Sequence, residues 1–346
     1  MNKVRLFFLI PILVFLPLVS FAENEQESVS LTQFQSPSEA SKILREQSDQ
    51  SFDITGNGIV DDNDAQSILL NSVGLIDSLD SFSSSLKNSL LGEKYLDKFS
   101  YTGTVTDGFN YLSEKVHINV EERAITIDNV PVVYYIADIY IRDIDCLRTA
   151  FAYEDYSRKS DSVEKMAQDN HALIAVSGDY YAARKKGLVI RNGVVYRDSF
   201  SSKRDSCVIY KDGTMEMFLA KEGDLSYVLS KDPYQAWCFG PSLLDADGKP
   251  KTRFNTSVGN RNPRCSIGYY EPGHYCFVVV DGRSKRHSFG IDMNHLSQLF
   301  YELGCTAAYN LDGGATAIMV TSKECISSQS DKSRGCSDIL YIIDPK

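Results

Sequence analysis

Two short segments near the carboxyl end carry the residues best suited to chemistry. Asn310-Leu311-Asp312-Gly313-Gly314 sets an amide and a carboxylate beside two glycines, between the apolar runs 306–309 and 316–320. Glycine has no Cβ and tolerates positive φ, so such a segment lets backbone approach a ligand closely. Asp-Gly is equally a turn signal. Upstream, Asp281-Gly282-Arg283 ends the apolar run 275–280 and adds a second carboxylate and a guanidinium. A third segment, Asn262-Pro263-Arg264, precedes the run 265–270. Its proline favours an extended Asn262, which would present Arg264 from the start of a strand. Two carboxylates suit acid/base work. Two arginines match the oxygens of an anionic substrate.

These residues act together only if the chain folds them onto one edge. The run Tyr275 to Val280 is apolar throughout, as expected of a strand buried on both faces. Asp292 to Leu303 reads as a helix: Asp292 or Asn294 caps it, Met293, Leu296, Leu299, Phe300 and Leu303 recur at helical spacing, and Gly304 follows. Thr306 to Tyr309 is the next strand. Strand, helix, strand predicts a βαβ unit with parallel strands and a right-handed crossover. Asp281, Arg283, Asn310 and Asp312 would then converge at the carboxyl edge of the sheet, where open sheets bind ligands. Further strands are expected at 116–120, 124–127 and 132–141, and a short helix capped by Asp161. Hairpins are expected across Asn192-Gly193 and Asp212-Gly213. The fold class is α+β: a mixed sheet with antiparallel hairpins and at least one βαβ unit, preceded by a small helical calcium-loop region.

The segments Asn262-Pro-Arg264, Val280-Asp-Gly-Arg283 and Asn310-Leu-Asp-Gly-Gly314, in this order, resemble the phosphodiester glycosidase family. Ala175-Val-Ser-Gly-Asp-Tyr-Tyr181, Gly187 to Gly193, Phe239-Gly-Pro-Ser-Leu-Leu244 and Arg334-Gly-Cys-Ser-Asp-Ile-Leu340 support the likeness, which covers residues 110 to 344. The resemblance implies hydrolysis of a sugar-1-phosphodiester of the GlcNAc-α-1-phosphodiester type, releasing the sugar. It implies that Arg264 and Arg283 hold the phosphodiester and that Asp281 and Asp312 act in acid/base catalysis. Asn262, Asn310, Gly313, Gly314 and Thr316 would shape and bind in the pocket. Asp179 would contribute from another edge, and Tyr180 would stack on the sugar. Ala315, Thr316 and Ser177 depart from the family's usual residues, which bears on substrate identity more than on reaction class.

The amino terminus has Lys3 and Arg5, an apolar stretch from Leu6 to Phe21, and small residues before Glu23, as in a secretory signal peptide over 1–22. A polar linker over 23–50 follows. In 51–105, Asp53, Thr55, Asn57, Asp61 and Asp64 have the oxygen spacing of an EF-hand-type loop, with a backbone carbonyl from Ile59 and a turn at Gly58. That predicts Ca²⁺ in a dockerin-like loop. No second loop follows, which weighs against a cohesin-type partner. The catalytic domain is 110–346.

The net charge of −10 argues against nucleic acid or anionic lipid as partner. No organic cofactor motif is present, and a catalytic metal is left open. Eight cysteines in an exported chain permit disulfides. Cys325 and Cys336 are the leading pair, and Cys265 and Cys276 are another; Cys207, Cys276 and Cys305 also read as buried thiols. Rival readings are a non-catalytic glycan-binding protein, a phosphodiesterase attacking phosphorus, and a calcium-dependent scaffold.

Overall fold

The computed structural model describes residues 103–328 and 334–345, together with Asp64, Ser67, 89–92, Tyr95 and 98–100. The chain divides into two compact units, 1–88 and 89–346. In the first, Asp64 and Ser67 are helical and buried. The signal peptide, the linker and Asp53, Thr55, Asn57, Ile59 and Asp61 of the calcium loop lie outside the described residues.

Strands dominate the second unit. In chain order they are β1 (Val105–Asp107), β2 (Asn110–Leu112), β3 (Val116–Ile127), β4 (Val130–Ile141), β5 (Leu147–Phe151), β6 (Ile174–Ser177), β7 (Val189–Arg191) and β8 (Val194–Arg197). Then come β9 (Ser206–Tyr210), β10 (Met215–Phe218), β11 (Pro233–Trp237), β12 (Arg264–Glu271), β13 (His274–Val280), β14 (Ala307–Asn310), β15 (Met319–Thr321) and β16 (Asp338–Ile342). The helices are α1 (Val163–Asp169), α2 (Leu225–Ser230) and α3 (Met293–Glu302). One sheet has the order β1-β2-β3-β4-β13-β12-β14, a second β10-β9-β11-β7-β8, and a third β15-β6-β16-β5.

Side-chain alternation explains the layering. Along β13, Tyr275, Phe277 and Val279 enter a central core shared with Ile209 and Trp237 of the second sheet and Val176 and Leu340 of the third. Cys276, Val278 and Val280 face the other way, against Met293, Leu296, Leu299 and Phe300 of α3. The continuous apolar run is therefore buried on both faces, since period-two alternation sends its residues to two cores. Helix α1 covers the outer face of the third sheet through Val163 and Met166. Val228 of α2 lies on the second sheet against Val208 and Tyr210.

The expected mixed sheet is not formed: the paired strands among the described residues are all antiparallel. β13, α3 and β14 do follow one another, and β13 and β14 run in the same direction. However, β12 inserts between them and pairs antiparallel with both. The polypeptide reaches β12 before β13 through a tight hairpin, so the slot beside β13 is already filled when the chain returns from α3. Asp292 caps α3 by accepting from the N–H groups of Asn294 and His295. Ser162, not Asp161, caps α1. The stretches 116–120 and 124–127 are one strand, held along its whole length by β4. Both hairpins form across the expected dipeptides.

The cysteine bridges are corrected too. Cys265 and Cys276 are free thiols. They point into opposite cores and cannot meet. Cys336 is likewise a buried free thiol, so no bridge joins it to Cys325. Cys207, Cys276 and Cys305 are buried thiols as expected.

Candidate active site

The interposed β12 is what gathers the site. Arg264, its first residue, lies opposite Val280, and Ser266 lies opposite Asn310. The start of β12 thus sits between the ends of β13 and β14, and the three segments meet at one edge. Their backbones touch. A Cβ on Gly282 would lie 2.8 Å from Pro263 N, and one on Gly313 would lie 2.9 Å from Pro263 O. Only glycine fits at either position. Arg283 has φ 63°. Its Nη2 comes to 3.5 Å from Asn262 Oδ1 and would lie 3.0 Å from a Cβ on Gly314.

Asp312 is buried. Its N–H donates to the Gly178 carbonyl at 2.9 Å, and its carbonyl accepts from Ser177 Oγ at 2.6 Å, tying the end of β6 to the loop. Nη2 of Arg334 donates to both carboxylate oxygens, at 2.9 and 3.3 Å. Burial nevertheless pushes the Asp312 carboxyl up to about 6 against the pull of Arg334. The arginine side chain is 46% exposed, and a partner screened by water does not offset desolvation.

Asp281 is buried and pairs with a more accessible histidine. Its Oδ2 lies 2.8 Å from His287 Nε2 and accepts from the Ser328 N–H at 3.1 Å. His287 is 40% exposed, against 1% for the Asp281 side chain. Burial raises the Asp281 pKa, and the hydrogen bond from His287 opposes the rise. Ser288 fixes the loop by donating to the Asp281 carbonyl at 2.6 Å and accepting from the Val133 N–H at 3.0 Å. Asp281 Oδ1 is buried with no hydrogen-bond partner among the described residues.

Asn310 shows the same feature. Its Nδ2 donates to the carbonyls of Gly240 and Leu311, at 3.0 and 3.2 Å, which sets the orientation of the amide. Its Oδ1 is then left buried without a partner among the described residues. Buried acceptors are normally satisfied, so two orphans at one sheet edge point to donors supplied by a ligand.

Beneath these loops lies a buried ionic cluster. Asp179 accepts from the N–H groups of Tyr180 and Cys238, at 2.7 and 2.8 Å, and its own N–H donates to Asp338 Oδ1 at 2.6 Å. Arg191 bridges the two carboxylates, 2.5 Å from Asp338 and 3.9 Å from Asp179. Burial pushes Asp338 up to about 6 against the pull of Arg191. Above the cluster, the Tyr180 ring has the Arg334 guanidinium at 4.8 Å and that of Arg184 at 5.9 Å.

Two expected binding residues have their polar groups taken up by the protein itself. Arg264 is buried, and it donates from Nε to the Ile291 carbonyl and from Nη2 to those of Val258 and Asn260. Burial lowers its pKa to about 10. The side chain organises the loop ahead of β12. Thr316 is buried, with its hydroxyl donating to the Gly313 carbonyl at 2.9 Å. Asn262, Asp281, Arg283, Asn310, Asp312, Gly313 and Gly314 are brought together, with Asp179 and Tyr180 alongside.

From the sequence, His287, near the motifs, reads as a surface or packing residue, and Arg191, Arg334 and Asp338 stand only within segments that support the family likeness, with no role of their own. His287 follows Arg283 by four residues in the same loop, and Asp338 opens an apolar strand, as Asp281 closes one. Asp128, Asp292 and His295 form a grouping with metal-ligand spacing. Arg261 already places a cation there, 2.6 Å from Asp128, and Asp292 is the α3 cap.

Comparisons with known proteins bear on the fold and the family. The catalytic domain of zebrafish N-acetylglucosamine-1-phosphodiester α-N-acetylglucosaminidase, in a form auto-inhibited by its pro-peptide, shares the fold. Its TM-score is 0.57 and its identity 20%, over 67% of this chain and 85% of that one. A hypothetical protein from Synechocystis also shares the fold, with a TM-score of 0.51 and 13% identity over 66% of this chain and 62% of that one. In sequence, the chain is 31% identical over 194 residues to the SPβ prophage-derived uncharacterized protein YomE of Bacillus subtilis. That match takes in 54% of this chain and 30% of the relative, so the chain spans less than a third of that protein's length. The model of the phosphodiester glycosidase family matches residues 170–343, half of the chain and every loop that forms the site, and the chain belongs to that family.

Proposed function

We propose that the protein is an exported hydrolase that cleaves a sugar-1-phosphodiester of the GlcNAc-α-1-phosphodiester type on the sugar side. The observation that carries this reading is the meeting of the Asp281-Gly282-Arg283 and Asp312-Gly313-Gly314 loops on Pro263, each with a buried carboxylate, one paired with His287 and the other with Arg334, beside the unpartnered oxygens of Asp281 and Asn310. Sugar hydroxyls and an acetamido N–H are donors of the kind those oxygens lack. Arg283 and Arg334 are the guanidinium groups for the phosphate, in place of the inward-facing Arg264.

Asp312, with a pKa of about 6, holds a proton at mildly acidic pH and gives it to the departing phosphate oxygen. His287 takes the proton of the attacking water, oriented by the buried Asp281 much as a buried aspartate orients a general-base histidine in hydrolytic triads. Tyr180, flanked by two guanidinium groups, offers its ring edge and hydroxyl to the sugar.

The test is incubation of the purified full chain with methyl GlcNAc-α-1-phosphodiester in H₂¹⁸O, measuring free GlcNAc and the position of the label. Wild type should release labelled GlcNAc, and Asp312→Asn should lower the rate by about a hundredfold or more. The wild-type rate should fall as pH rises through about 6, because Asp312 must be protonated to act. Label in the phosphate would replace this reading with attack at phosphorus. Binding without turnover would leave a glycan-binding protein.

A further inference from the structure

A cavity of about 790 Å³ is lined by Lys203, Arg204 and Lys221 together with Asn255, Thr256 and Ser257, in the loop that runs on to Asn262 and Arg264 of the candidate site. Among the described residues no carboxylate lines it, and neither Lys203 nor Lys221 has an ion-pair partner. In a chain of net charge −10, three cations around one concavity form a local reversal of sign. Amide and hydroxyl groups on the facing wall are the donors that phosphate oxygens accept from.

The cavity is joined to the carboxylates by a ladder of alternating cations and rings. Arg334, on Asp312, lies against Tyr180; Tyr180 lies against Arg184; Arg184 stacks 4.8 Å over Phe239; and the Phe239 carbonyl accepts from Arg204 at 3.5 Å. Burial, and then the positive charge of Arg184, lower the pKa of Arg204, so the positive groups crowd one another along this path. Asp179 opposes that shift only in part, and an anion bound beside Arg204 would relieve the remaining crowding.

We propose that this cavity is an anion subsite for a second phosphate of the substrate, so that the chain acts on a polymer of repeating sugar-1-phosphodiester units. The proposal rests on the hydrolytic reading above. The volume exceeds what a single phosphate needs and suits a sugar phosphate repeat. One phosphodiester lies at Arg283 and Arg334 while a further repeat of the same polymer enters the basic cavity.

The test uses the full chain and its Lys203→Ala/Lys221→Ala double variant, in which both substituted residues are exposed. Two substrates are compared: methyl GlcNAc-α-1-phosphodiester and a tetramer of GlcNAc-1-phosphate repeats. The variant should raise KM for the tetramer about tenfold, the size expected for two partly screened ion contacts, with kcat unchanged and single-diester kinetics unchanged. Equal KM for the tetramer in both proteins would overturn the subsite, and so would an equal loss on both substrates. Calorimetric titration with inorganic tripolyphosphate reads the cavity without turnover. Binding by wild type that is lost in the variant supports the anion site even if neither substrate is cleaved, in which case the hydrolytic reading alone fails. No tripolyphosphate binding by wild type would overturn the site.

Discussion

At the scale of single residues, burial outweighs pairing, and the sign of the effect is open to measurement. Asp312 has a folded pKa of about 6, above the ordinary 3.8. The folded state therefore binds the proton more tightly than the unfolded chain. Stability from this group is fully present below about 3.8 and is lost as pH rises through about 6. Asp312→Asn cannot titrate there. Urea unfolding of both proteins from pH 4 to pH 7 should show wild type losing about 2 to 3 kcal/mol relative to the variant. A constant difference across that range would mean that Arg334 holds the carboxylate ionised throughout.

At the scale of elements, the third sheet is pinned to the site through its buried charges. Arg191 ends β7, Asp338 begins β16 and Asp179 follows β6, so one guanidinium joins three strands from two sheets. Arg191→Ala would leave two buried carboxylates without their cation and should cost about 3 to 5 kcal/mol, read as a lower urea midpoint at unchanged slope. A loss below 1 kcal/mol would show that water enters and solvates the pair. This cluster also marks where the sequence stopped being legible. Local signals were enough for α3, for both hairpins and for the strand buried on two faces, since capping, turn dipeptides and periodicity are written in neighbouring residues. That Asp281 and Asn310 end strands running the same way was legible for the same reason. The place of β12 between them was not: the runs before, within and after the unit are equally apolar, and pairing order is a tertiary choice. Nor do Arg191 and Asp338, 147 residues apart, carry any local sign of each other. The inward turn of Arg264 depended on loop carbonyls that no local pattern announces.

At the scale of the whole molecule, the residues assigned to chemistry, from Asp179 to Arg334, all lie in the unit 89–346. A chain lacking residues 1–88 should fold with a single cooperative melting transition and keep its rate on methyl GlcNAc-α-1-phosphodiester within about twofold. Loss of the transition would show that the first unit is needed for the second to fold. The acidic surface and the basic cavity divide the electrostatic work: overall charge keeps copies of the chain apart, and a local patch takes the anion.

Gly282 and Gly313, from two motifs 31 residues apart, press on the two sides of a single proline belonging to a third. For evolution the three motifs are thus one character. A shift of Pro263 that made room for a methyl at either glycine would alter the fit of the other, so drift at one position depends on the state of its partner. Lineages that change substrate would be expected to vary the rim, where Ala315, Tyr180 and the lysines stand, while this interlock passes unaltered from one specificity to the next.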